Sequence, residues 1–460
     1  MKSSLNFRSS SAAVRTAVGI TTFGLALSAC SSITDNLLTA ETPGIIPPAL
    51  TQSAEGALGL ANGTLDTFRS ITAGNESTWL FGGLLGDEWS TSSTFPQNDE
   101  TDQRHIQENN AQVTGMLYRL YRTRIRAAEA ITALNKYAPT NRALIGEMYF
   151  AKGFAEMQLA QDFCNGIPIS NLVDGVPQAG DPETDAKVFT RALASYDSAI
   201  AFANGVDARS VLIGRAARIG KARAQLGLKQ FAEAAVTVAG IPTSFSYTHT
   251  FSLTTGTNTI WGQGFSAARY VVGDSLEGNA RNIYVKNALP FVSAKDPRLP
   301  VDLLTGNGQD GQTRVRRTAL YGQLTSVEVV NGIDARMVEA EAALAAGDVA
   351  KFFAIHNALR AAPPKLGEVQ PAALAPLVDP GTDAARLSLQ FREKAFWTFS
   401  RGQRLGDMRR LVRQYGRAVT DVFPVGIHYK GGDYGADVNF PIVTDERNNP
   451  KFNGCIDRSA

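Results

Sequence analysis

Residues that do metal or nucleophilic chemistry are scarce in this chain. There are four histidines in 460 residues, His105, His249, His356 and His428, and none stands at ligand spacing from another. No HExxH, GxSxG or C-x-x-C occurs, so the sequence shows no zincin helix, nucleophile elbow or dithiol redox site. Beyond the N-terminal leader, no segment approaches the roughly 20 apolar residues a membrane-spanning helix needs. A literal GxGxxG spans Gly306 to Gly311, but TRVRRTALYGQL follows it. A dinucleotide turn needs a strand before it and a helix after it, and Gln312 stands where a P-loop has lysine. It reads as a glycine-rich loop.

Net charge is also missing. Three of the 45 basic residues, Lys2, Arg8 and Arg15, lie in residues 1–29, leaving 42 against 43 acidic ones. That balance gives no footing for nucleic-acid binding. The same three charges precede a short apolar run, residues 17–27, in the pattern of a secretory signal. Leu27-Ser28-Ala29-Cys30 then looks like a bacterial lipobox. On that reading residues 1–29 are removed, Cys30 is acylated, and residues 30–48, ending Pro-rich, form a lipidated tether. Ser31 replaces the aspartate of an inner-membrane signal, which favours the outer membrane. A plain signal peptide with an incidental cysteine is the alternative. Two cysteines remain, Cys164 and Cys455. In an exported chain they suggest one bridge, with two free thiols as the other possibility.

Helical periodicity marks residues 49–73, 106–137, 144–163, 185–203, 209–226, 229–239, 331–346, 348–361 and 384–414. Pro139 stops the second, and Asn141 is suited to cap the next. The pair within residues 215–242 places Leu226-Gly227, Phe231 and Ala234 as a tetratricopeptide-type hairpin does. The fold expected is mainly α: a tetratricopeptide-like helical-hairpin scaffold over 49–460 as a single domain. Two long irregular inserts, 75–105 and 243–330, interrupt it. Loops of that length are functional or disordered, and their aromatics argue against disorder.

A ligand is therefore expected at the inserts. Sugar rings stack on Trp or Tyr faces, and their hydroxyls need fixed donors and acceptors. Trp79, Trp89, Trp261 and Tyr270 supply the first; Asp87, Asn98, Arg104 and Arg269 supply the second. Asp99, Glu100 and Asp102, beside Asp87 and Glu88, form an acidic run without EF-hand spacing, which reads as a solvated loop. No metal site and no cofactor is expected. Glu339 and Glu341 face different sides of one helix and make no acid/base pair.

Residues 390–411, QFREKAFWTFSRGQRLGDMRRL, are explained physically as an amphipathic helix with a basic face. With other stretches they also resemble the SusD/RagB family of outer-membrane nutrient-binding lipoproteins, in which a late segment runs Glu-Arg, then Glu-Gly-x-Arg-x-x-Asp-Leu-x-Arg. Glu393-Lys394 stands for the opening pair, and Gly402, Arg404, Asp407 and Arg410 match. Trp397 and Arg401 replace expected glutamates, so the local ion pairs must be rewired. Residues 146–170, with Glu147, are similar to the family's Gly-Glu helix and Gly-x-Pro turn. Residues 335–348, with Glu341, are similar to its Ala-Glu-Ala helix. Residues 440–454 resemble its closing segment, and Asp296-Pro297-Arg298 its Asp-x-Arg.

The resemblance implies a non-catalytic lipoprotein that captures an oligosaccharide or peptide and passes it to a SusC-like TonB-dependent outer-membrane transporter. Two other readings stay open. One is a tetratricopeptide-type lipoprotein that scaffolds envelope assembly. The other is an anchored hydrolase using Asp87 and Glu88.

Overall fold

Ser53 opens the first helix, its hydroxyl accepting from the Gly56 N–H at 3.0 Å. The computed structural model describes residues 52–75, 77–173 and 176–460; Cys30 and the tether lie outside them. In chain order the longer elements are α1 (Ala54–Ala73), α2 (Thr78–Leu85), β1 (Trp89–Thr91), α3 (Pro96–Asp102), α4 (Ala111–Tyr137), α5 (Arg142–Asp162), α6 (Asp185–Phe202), α7 (Ala208–Gly227) and α8 (Phe231–Val238). There follow β2 (Ser246–His249), β3 (Tyr270–Val272), β4 (Val301–Asn307), β5 (Arg314–Thr318), β6 (Val327–Asn331), α9 (Gly332–Ala345), α10 (Val349–Ala361), α11 (Asp383–Trp397) and α12 (Arg404–Arg413). Gln52–Ala460 cluster as one unit. Among the described residues no helix is long and apolar enough to cross a membrane.

Neighbours in sequence are neighbours in space. α1 packs on α4, α4 on α5, α5 on α6, α6 on α7, α7 on α8, α8 on α9 and α9 on α10. This is the layered hairpin stacking of tetratricopeptide-like proteins. Small residues make it possible. Tyr196 of α6 is fully buried, and a Cβ on Gly220 of α7 would lie 2.5 Å from its ring. α6 and α7 could not approach so closely with a larger side chain there.

Three expectations change. Asn141 makes no side-chain cap to α5, whereas Asn110 caps α4 through the Gln112 and Val113 N–H groups. The expected helix 384–414 is two helices, because Ser400 (φ 56°) and Gly402 (φ 62°) turn the chain between α11 and α12. The inserts are largely irregular but carry short regular elements. Residues 75–105 hold α2, β1 and α3; β1 pairs antiparallel with β3 of the second insert, which also supplies the pairs β2 with β6 and β4 with β5. The GxGxxG is the tip of the β4–β5 hairpin, with no helix behind it.

The motif residues carry the buried ion pairs that join the late helices to the rest. Arg410 grips Glu341 of α9 at 2.6 and 2.8 Å and reaches Asp407 at 3.0 Å, which also takes Lys394 at 2.8 Å. Arg298 bonds both Asp296 and Glu393, and Arg360 adds to Glu393 at 2.9 Å. Burial opposes charge on Glu393, but Arg298 and Arg360 outweigh it and hold its pKa below the ordinary value. Glu147 accepts from Tyr247 at 2.9 Å and from Arg209 at 2.5 Å. Arg401, where the family has glutamate, pairs with Asp334 at 2.7 Å. Asp334 is also in the capping box of α9. Trp397 lies under Arg298, whose guanidinium carbon is 4.7 Å from its ring centroid. At the other end of the chain Cys164 and Cys455 are disulfide-bonded, with Cα atoms 6.1 Å apart, tying the C-terminal segment to the end of α5.

Candidate functional site

Of the eight ligand candidates, six are interior. Trp79 is 0% exposed and its indole fills the space left by the absent side chain of Gly402. Trp89 is buried, donating its Nε1–H to Ser400 Oγ at 2.9 Å. The Asn98 amide donates to the Tyr270 hydroxyl at 3.0 Å, both groups inside. Arg104 is buried over Phe423 and donates to the Asp437 and Pro424 carbonyls. Asp87 accepts from the Leu289 N–H at 3.2 Å, and burial, then Glu277, pushes its pKa well up. These six are packed inside, joining the two inserts to each other or to the C-terminal third of the chain, and are buried from solvent.

The acidic run is likewise not a solvated loop. It lies on α3, where Asp99 pairs with Lys430 at 2.7 Å, Glu100 accepts from Asn110 and Asp102 accepts from the Thr91 N–H. Among the described residues no group of three or more His, Cys, Asp or Glu side chains gathers as a metal site.

Glu88 carries a pH consequence. It is fully buried; Oε1 accepts from the Ser400 N–H at 3.0 Å, and Oε2 has no partner among the described residues. Burial raises its pKa from 4.5 to about 8, against the Ser400 bond and Arg404. Between those values the folded chain keeps a proton that the unfolded chain sheds. The stability this group contributes is therefore complete at pH values below the lower one and lost as pH rises through the upper one. The melting temperature is expected to fall between about pH 5 and 8, and Glu88→Gln to flatten that part of the profile. An identical profile for the variant would rule out a proton held on Glu88.

Trp261 and Arg269 are the two candidates that reach solvent. A single helical turn, Thr259–Trp261, capped by the Asn258 side chain, runs into a π-helical turn, Gly262–Ser266. π-turns are rare and concentrate at functional sites. This one sets Phe265 beside Trp261, ring centroids 5.8 Å apart and planes within 16° of parallel. Phe265 remains 40% exposed. Arg317, on β5, lies with its guanidinium carbon 4.3 Å from the Phe265 ring centroid. The loop then folds back, the Arg269 N–H bonding to the Gln263 carbonyl at 2.8 Å. Arg269 in turn covers Phe95 at 4.6 Å, and Phe95 is 37% exposed.

Both inserts thus contribute. The Ser92 N–H donates to the Arg269 carbonyl at 2.8 Å, and the Gln309 N–H donates to the Ala268 carbonyl at 3.0 Å. A strand end, a π-turn and a hairpin meet in a surface of two aromatic–arginine stacks. Phe95, Phe265 and Arg317 are functional candidates that sequence reasoning missed. The four-residue spacing of Trp261 and Phe265 was a legible signal; the position of Arg317 was not.

No family model and no curated protein matches the chain. Solved structures do. A SusD superfamily protein from Bacteroides fragilis aligns at TM-score 0.63 and 15% identity, over 88% of this chain and 100% of that one. A SusD-like protein from the same species aligns at 0.61 and 11%, over 91% and 100%. A SusD-like carbohydrate binding protein from Bacteroides vulgatus aligns at 0.56 and 12%, over 77% and 83%. Such identities speak for architecture alone. The chain has the SusD-like fold: a tetratricopeptide-like helical scaffold carrying a looped face.

Proposed function

We propose that this chain is a non-catalytic, glycan-binding lipoprotein, anchored through Cys30 in the outer membrane. It holds its ligand for a SusC-like TonB-dependent transporter. The observation that carries the reading is the partly exposed Trp261–Phe265 stack on a π-turn, set among arginines on a SusD-like fold. Flat apolar rings suit the C–H faces of sugars, and the arginines supply donors for hydroxyls. The carbohydrate-binding neighbour adds support. The burial of Asp87 and Glu88 counts against the hydrolase reading.

Trp261→Ala is expected to weaken binding of a polysaccharide roughly thirtyfold, the loss of about 2 kcal/mol typical of an aromatic anchor. Affinity electrophoresis measures it; equal retention of variant and parent would refute the site. The transporter partnership is tested by capture from gently solubilised outer membrane with a tag near Ala460. A large TonB-dependent barrel in near-stoichiometric amount supports uptake.

Assembly factors without a barrel would favour the scaffolding alternative. For that alternative there is one specific feature, an open groove of about 440 Å³ between α8 and α9 lined by Phe231, Ala235, Ala342 and Ala346.

A further inference from the structure

Several buried arginines in this protein are matched to carboxylates. Arg316 lies 2.7 Å from Glu277, and Arg298, Arg401 and Arg410 each hold one or two acidic partners. Others, such as Arg104, Arg124 and Arg223, bond only neutral groups, whereas Arg269 and Arg317, beside the exposed rings, have neither kind of partner. Among the described residues neither side chain makes an ion pair or a hydrogen bond, and the Nε–H of each is buried without a partner. Each guanidinium instead lies over a ring, Phe95 or Phe265, a contact arginine favours.

The surrounding charges do not complete them. Asp302 is the cross-strand register partner of Arg317, yet forms no ion pair with it. Lys430, at the base of the same loops, is already neutralised by Asp99 at 2.7 Å and Asp310 at 3.3 Å. Two guanidinium groups with no carboxylate partner suit anions, because charge-assisted hydrogen bonds to carboxylate or sulfate oxygens are the strong ones. Sugar hydroxyls can accept from the arginines but leave their charge uncompensated.

We propose that the ligand of this surface is an acidic glycan, a polysaccharide bearing carboxylate or sulfate groups. Trp261 and Phe265 receive sugar faces, and Arg269 and Arg317 receive the anions. The inference rests on the glycan-binding reading and narrows it.

Affinity electrophoresis of the purified mature protein in gels containing polygalacturonate, chondroitin sulfate, amylopectin or arabinoxylan tests it. Retention is expected in polygalacturonate, which bears carboxylate alone, in chondroitin sulfate, which bears both carboxylate and sulfate, or in both; retention in chondroitin sulfate alone would point to a need for sulfate. It should weaken as salt is raised, since screening acts on charge pairs. The double variant Arg269→Gln, Arg317→Gln should lose that retention at least tenfold. The charge-keeping Arg269→Lys, Arg317→Lys should fall between, and melting curves verify that both fold. Retention by a neutral polysaccharide alone, lost in Trp261→Ala, would overturn the acidic class and keep the glycan site. Acidic retention unchanged in both double variants would also overturn it. No retention in any of the four gels would overturn both readings.

Discussion

Glu393→Ala is expected to destabilise the fold by about 3–5 kcal/mol, the cost of leaving a buried charge without its partner. Glu393 is fully buried and accepts from Arg298 at 2.8 and 3.2 Å and from Arg360 at 2.9 Å. Arg298 has 0% exposure and rests against Phe396 and Trp397, so it cannot turn to water when the carboxylate goes. Asp296 would be its one remaining acid. Glu393→Gln keeps the shape and one acceptor, so it should cost less than the alanine. Guanidinium unfolding followed by tryptophan emission measures both. Equal midpoints for parent and Glu393→Ala would mean that the pair is balanced by its own desolvation.

Gly402→Ala is expected to cost roughly 2–5 kcal/mol, from two separate sources. A φ of 62° is left-handed backbone, which costs a residue with a Cβ about 1–2 kcal/mol. The new methyl would also enter the Trp79 indole, and overpacking adds about 1–3 kcal/mol. The two parts separate in a double-mutant cycle. In a Trp79→Ala background the ring is gone, and Gly402→Ala should retain the backbone cost alone. Full additivity would show that the methyl does not meet the ring.

The helical scaffold was legible because burial imposes a three-to-four spacing that survives without knowledge of partners. α4 and α7 announce themselves this way. The same logic misled at 384–414, since the apolar stripe of α11 resumes in α12 and conceals the turn at Ser400 and Gly402. Gly402 stands at a motif position, and the reason for the glycine is its positive φ and its contact with Trp79, some 320 residues away in sequence.

Sorting Trp79 from Trp261 was within reach of physical reading. TWLFGGLL is apolar all round, the mark of a helix with no exposed face, whereas Trp261 is followed by Gly-Gln-Gly. The free state of Arg317 was not within reach, because whether an arginine finds a carboxylate depends on which strands meet. The same holds for Arg401, whose partner Asp334 lies on another helix.

Tryptophan quenching tests the proposed site most directly. The chain has four tryptophans, of which Trp79, Trp89 and Trp397 are at most 1% exposed, leaving Trp261 as the one open to solvent. Iodide should quench a single accessible component, absent in Trp261→Phe. A saturating glycan, identified by its retention in the gels, should protect that component. Protection that disappears with Trp261 would place the ligand on the π-turn; a glycan that binds while Trp261 stays fully quenchable would put the site elsewhere.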